Sequence, residues 1–78
     1  EAHVSIKVHQ KLTAKTNIAL EQIGQVVQLY SVSGEYDLLA IVQAQSLEEL
    51  SAVLDEIGNL DGVERTNSAV VLETKFKR

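Results

Sequence analysis

The chain has 78 residues, 45% of them hydrophobic, with no cysteine, methionine, tryptophan or proline, and seven Lys and Arg against eleven Asp and Glu give a net charge of -4. A domain this short hides only about 60% of the surface its unfolded chain exposes. With no cysteine pair and no Cys/His zinc spacing to staple it, oligomerisation is the remaining source of stability; the negative balance leaves little drive toward a phosphate backbone, and no apolar run approaches the roughly 18 residues of a membrane span.

From residue 2 to residue 9, Ala2, Val4, Ile6 and Val8 alternate with His3, Ser5, Lys7 and His9, the period of a strand with one buried face. A helix is predicted next, capped by Thr13 or Thr16 and running through Ile23, with Ile18, Ala19 and Ile23 inward and Gly24 as the residue that ends it. Residues 26–33 and 38–44 are β-rich runs with apolar residues on both parities, so both faces of the hairpin they form ask for cover. Between them lies a polar link containing Gly34 and Asp37, one supplying a positive φ and the other a self-capping side chain.

Ser46, Leu47, Glu48 and Glu49 read as a capping box, in which the Ser46 hydroxyl takes the Glu49 amide and the Glu49 carboxylate reaches back to the Ser46 amide. Leu47, Leu50, Val53, Leu54 and Ile57 then form one apolar stripe, and Gly58 closes the helix. Asp61 and Gly62 turn the chain into a last strand over residues 63–76, longer than the others. The order strand, helix, strand, strand, helix, strand predicts a single α+β domain over residues 1–78. This is the ferredoxin-like βαββαβ sandwich, a four-stranded antiparallel sheet with two helices on one face. Its other face, carrying part of the Val, Leu, Ile and Tyr, would be too apolar for a monomer and predicts a homodimer paired sheet to sheet.

Candidates for an acid, base or nucleophile are Lys7, His3, His9, Tyr30, Tyr36 and Asp37, none of them in a catalytic motif. His3 and His9 are about 20 Å apart along one strand, too far to share a metal. The helix carboxylates Glu48, Glu49, Asp55 and Glu56 read as a solvated face. No enzyme activity, metal or cofactor is expected. The 34–37 turn can do one job: its glycine lets a ligand approach the main chain, its amides face a carboxylate, and Asp37 offsets an ammonium. Those groups complement a zwitterionic amino acid. On residue chemistry alone a plain hairpin turn closed by an Asx hydrogen bond is the favoured reading.

Three stretches carry a resemblance over the whole chain: residues 27–37 with the Gly34-Glu35-Tyr36-Asp37 tip, the Ser46-to-Leu50 helix start, and Gly62-Val63-Glu64-Arg65-Thr66-Asn67-Ser68 leading into Val70, Val71 and Leu72. Together they resemble the ligand-binding (RAM) module of Lrp/AsnC feast/famine regulators. The resemblance implies sheet-to-sheet dimers, octameric assembly, and an amino acid or related metabolite bound between dimers. Carried over by position, Gly34, Glu35, Tyr36 and Asp37 are the effector turn and Thr66 and Ser68 its neighbouring hydroxyls. The first strand departs from the family's apolar pattern at His3, Ser5 and Lys7. A stand-alone cytoplasmic sensing module without a helix-turn-helix is expected, acting through its own assembly or by mixing with full-length regulators. The alternatives are a small dimeric α/β-barrel enzyme of the monooxygenase type and a purely structural oligomerisation domain.

Overall fold

A computed structural model describes all residues from Glu1 to Arg78. Strands β1 (Ala2–Val8), β2 (Val26–Ser31), β3 (Leu38–Val42) and β4 (Val63–Val70) form one antiparallel sheet in the order β2-β3-β1-β4, and helices α1 (Thr13–Glu21) and α2 (Leu47–Gly58) connect β1 to β2 and β3 to β4. Each helix therefore carries the chain over one intervening strand, as the predicted split βαβ arrangement requires. α1 lies beside β2 and α2 beside β4.

β1 decides the layering. Ala2, Val4, Ile6 and Val8 are buried and His3, Ser5 and Lys7 half-buried, the strict alternation of a central strand with one face under the helices. Direct cross-strand partners share a face, so Ala40 and Val42 of β3, opposite Val4 and Ala2, join the same core. Leu20, Ile23, Leu50, Val53 and Ile57 close it from above. At roughly 1.5–3 kcal/mol for each fully buried aliphatic side chain, this single layer supplies most of the drive to fold.

Several sequence expectations are corrected. Neither Thr13 nor Thr16 caps α1: a 3-10 turn (Gln10–Leu12) precedes it, with His9 as the cap accepting the Lys11 N–H. Thr16 is fully buried and Ile18 is 59% exposed. The inward stripe is Thr16, Leu20 and Ile23, and it can include a hydroxyl because Thr16 Oγ1 lies 2.9 Å from both the Leu12 and Asp61 carbonyls, which share its one proton. α1 ends at Glu21 with Gln22 as its cap, and Gly24 has no positive φ.

In α2 the Ser46 hydroxyl accepts the Glu49 N–H at 3.0 Å as expected, but the Glu49 carboxylate accepts from Gln45 N–H, one residue earlier than the box predicts. Leu47, assigned to the apolar stripe, is 78% exposed. β4 stops at Val70, not at residue 76. Ala2 pairs with Val70 and Glu1 accepts the Val71 N–H, and past these last rungs Leu72 and Phe76 are largely exposed.

Gly62 has φ +92, and a Cβ there would clash with Thr16 Oγ1 and come within 2.9 Å of Leu12 Cβ. Gly62→Ala combines a left-handed backbone with a clash at a buried hydroxyl, and is expected to lower unfolding free energy by about 2–4 kcal/mol. Thr16→Val keeps the volume and removes the shared proton, leaving two part-buried carbonyls a donor short, and is expected to cost about 1–2 kcal/mol. Urea denaturation midpoints measure both; a wild-type midpoint for Gly62→Ala would contradict this packing.

Candidate functional site

The link between β2 and β3 is built around Asp37, whose main chain and one carboxylate oxygen all have partners. Its N–H donates to the Ile6 carbonyl at 3.0 Å, its carbonyl accepts from Val32 N–H at 3.0 Å, and its Oδ2 accepts from Val8 N–H at 2.9 Å. The last bond has a topological cause. Alternate residues of β1 direct their backbone groups toward the same neighbour, and β3 begins at Leu38, opposite Ile6. Val8 N–H therefore points past the start of β3, where the Asp37 carboxylate substitutes for the missing main-chain acceptor.

Around this tie the side chains are arranged by register. Lys7 pairs with Arg65 across β1 and β4, and both stand on the face away from the helices. Lys7 Nζ is 3.8 Å from Asp37 Oδ2. Arg65 Nη2 donates to Glu35 Oε1 at 2.7 Å while its guanidinium lies 5.2 Å from the Tyr36 ring centroid, a cation–π contact. Gly34, at φ 108, makes the reversal that brings Glu35 and Tyr36 back over Arg65. These pairs are largely exposed, so each contributes at most about 1 kcal/mol; their effect is to hold the tip in place.

Glu35, Tyr36 and Asp37 are thus brought together by the Gly34 reversal. Thr66 and Ser68 are placed elsewhere: they lie opposite Ile6 and Val4, on the helix-facing parity, while the tip is gathered on the parity of Lys7 and Arg65. Arg65 is the residue that sequence reasoning missed. It sits inside the 62–68 stretch, but only the β1–β4 register reveals that it faces the turn. The Glu1 carboxyl, held below its ordinary range chiefly by the hydrogen bond from the His3 ring, stands at the other end of β1 and takes no part.

A cavity of about 330 Å3 opens beside Asp37, between the end of β1, the 3-10 turn and the start of β4. A larger hollow of about 500 Å3 lies at the opposite end of the sheet, lined by Gln25, Gln43, Gln45 and Glu49 among others. There one oxygen of the Glu49 carboxylate accepts from the Gln45 N–H, and no Lys, Arg or His lines this hollow to meet a ligand carboxylate. No group of three or more His, Cys, Asp or Glu is spaced to hold a metal ion, and no helix is long and apolar enough to cross a membrane.

The Lrp/AsnC ligand binding domain matches residues 1–78. The chain belongs to the Lrp/AsnC family. It is 33% identical over 73 residues to the HTH-type transcriptional regulator FL11 of Pyrococcus abyssi, covering 94% of this chain and 48% of that protein. The chain thus spans about half the length of the regulators it matches. Among solved structures, TTHA0845 from Thermus thermophilus is 34% identical with a TM-score of 0.88, covering 97% of this chain and 96% of that one. The transcriptional regulator NMB0573 of Neisseria meningitidis, solved as an L-Met complex, shares the fold at a TM-score of 0.86 and 19% identity, over 97% of this chain and 51% of its own. Family membership and the βαββαβ sandwich were both legible in the residues quoted above.

The Asp37 tie predicts an asymmetry between two substitutions. Asp37→Ala leaves the Val8 N–H at the sheet end without an acceptor and is expected to cost about 1–3 kcal/mol. Asp37→Asn keeps an oxygen in place and should cost less than half as much. Chemical denaturation of the two variants measures the difference; equal losses would mean that the carboxylate serves no strand-capping role.

Proposed function

We propose that this chain is a non-enzymatic effector-sensing module, which takes up a small α-amino acid at the 34–37 turn and passes its occupancy on through assembly. The observation carrying this reading is the Asp37 tie, because it couples the turn rigidly to the central strand beside an open cavity. Membership in a family described by its ligand-binding domain supports the ligand class, and the fold's occurrence with L-Met in the Neisseria regulator is consistent with it. Gly34, Glu35, Tyr36 and Asp37 form the proposed effector turn. Thr66 and Ser68, on the helix-facing parity of the edge strand β4, are proposed to contribute hydroxyls where dimers meet one another, away from the sheet-to-sheet seam.

The open sheet face is proposed as the dimer seam. It exposes Tyr30 and Val32 beside half-buried Leu39, with His3, Ser5 and Lys7 forming a polar stripe along β1. Dimers assembling further, up to octamers, would place turns from different copies in contact, and full-length Lrp/AsnC regulators are proposed as alternative partners. A ligand that fits one assembly better shifts the equilibrium by its difference in affinity. The α/β-barrel enzyme reading requires a polar cavity between sheet and helices, where Val4, Ile6, Leu20 and Ile57 are instead packed shut.

Calorimetric titration with the twenty amino acids, coupled to light scattering, tests the sensor reading. At least one amino acid is expected to bind at millimolar concentration or below and to change the assembly mass. Asp37→Asn, which keeps the strand cap and loses the charge, is expected to weaken that binding at least tenfold. No binding by any of the twenty would reject the sensor. Leu39→Asp is expected to convert the dimer to a monomer in sedimentation velocity, since it would bury an unpaired charge in the seam; a dimer of unchanged affinity would move the interface elsewhere.

A further inference from the structure

We infer that the ligand beside the 34–37 turn is a polar α-amino acid whose charged ends are taken by Lys11 and Glu64. This rests on the sensor reading above and assigns residues and a specificity that neither the turn nor the family resemblance supplies.

The β1–β4 register slips between Lys7 and Val8: Lys7 faces Arg65 whereas Val8 faces Val63. Glu64 is left without a partner on β1. Such a bulge breaks the alternation of faces and re-aims a side chain, and Glu64 accordingly lines the cavity that Asp37 also lines. Lys11 reaches the same cavity from the 3-10 turn, where its N–H donates to His9 Nδ1 at 3.2 Å. The neighbouring charges are paired, Lys7 with Asp37, Arg65 with Glu35 and Lys15 with Asp61, while Lys11 and Glu64 have no ion-pair partner.

One unpaired cation and one unpaired carboxylate on the wall of one cavity are the complement of a zwitterion. The ligand carboxylate sits on Lys11 Nζ, and its ammonium between Glu64 and Asp37 Oδ1, the oxygen that the Val8 tie leaves free. A volume of about 330 Å3 is at the small end of the roughly 300–1,000 Å3 of ligand pockets. Specificity follows from what remains. His9 Nδ1 accepts a hydrogen bond, so the neutral ring carries its proton on Nε2 as a donor, Gln10 adds an amide, and Val8 is the one apolar lining residue. A polar side chain finds hydrogen-bond partners there, and a branched aliphatic one leaves those polar groups unmet.

Calorimetry on the intact chain with L-serine, L-asparagine, L-glutamine, L-leucine and L-isoleucine tests this, using wild type, Lys11→Gln and Glu64→Gln. A polar ligand is expected to bind at least tenfold tighter than leucine or isoleucine. Each variant is expected to weaken it at least tenfold with its thermal unfolding midpoint near wild type. Lys11→Gln should cause no further loss for the α-amide of that ligand, and Glu64→Gln none for its N-acetyl form. Leucine binding as tightly as the polar set, or wild-type affinity in both variants, would overturn the inference; if Asp37→Asn still weakened binding, the sensor reading would survive. Binding by none of the twenty amino acids would overturn both.

Discussion

A carboxylate standing in for a strand holds this molecule's functional end together. β1 is longer than β3, so at its far end one backbone N–H projects beyond the ladder, and Asp37 Oδ2 meets it at 2.9 Å. Without that acceptor the six residues between β2 and β3 would be joined to β1 by a single main-chain bond, Asp37 N–H to the Ile6 carbonyl. With it, the turn, the last residues of β1 and the bulge around Glu64 form one connected unit. Hydrogen bonds to a charged acceptor are stronger than neutral ones, which suits a tie at a half-solvated site. The arrangement also divides the labour of one carboxylate: Oδ2 is structural and Oδ1 is free.

The same sheet shows how little a domain of this size can bury. Fourteen of 78 residues are buried, and nearly all of them belong to the single layer between helices and sheet. The other face mixes Leu39, Ile41 and Tyr30 with His3, Ser5, Lys7, Arg65 and Asn67. That mixture is too apolar to be ordinary surface and too polar to be a continuous core. Obligate interfaces resemble a core cut in half, whereas exchangeable ones keep polar groups in the seam. A β1 stripe of His, Ser and Lys therefore fits the proposed seam better as an exchangeable contact than as an obligate one.

Much of the fold can be read from the residues because its signals are periodic. The β1 alternation, the Ser46 cap and the Leu50, Val53 and Ile57 stripe repeat at intervals that only one structure satisfies. The errors fall where a tertiary partner changes the meaning of a residue. Thr16 reads as a helix cap and is a buried hydroxyl, because the carbonyl that satisfies it, Asp61, is 45 residues away. Residues 71–76 read as strand by composition and lie outside β4, which ends at Val70, because composition does not say which backbone groups find a partner strand. In the candidate site the tip is legible as turn chemistry. Arg65, Lys11 and Glu64 are not, since each depends on a register or a bulge, and pairing register is not written in residue type.

The placement of the cavity at a sheet end, and not in the core, would also let a marginal domain serve as the proposed sensor. Were the ligand to replace part of the hydrophobic layer, the empty state would carry a void and lose stability through it. Here the walls are surface groups, so the empty protein keeps its whole core, and the proposed ligand would only add partners to the unpaired charges of Lys11 and Glu64. Ligand at ten times its dissociation constant adds about 1.4 kcal/mol to whichever state binds it. That is small beside the folding free energy of a typical domain, yet it equals a tenfold shift in an association equilibrium. In the proposed sensor, a turn held by Asp37 and lying at the edge of the open face would convert that modest increment into a change of assembly wherever the ligand fits the assembled state better. Occupancy would then act on the contacts between copies and leave the fold itself undisturbed.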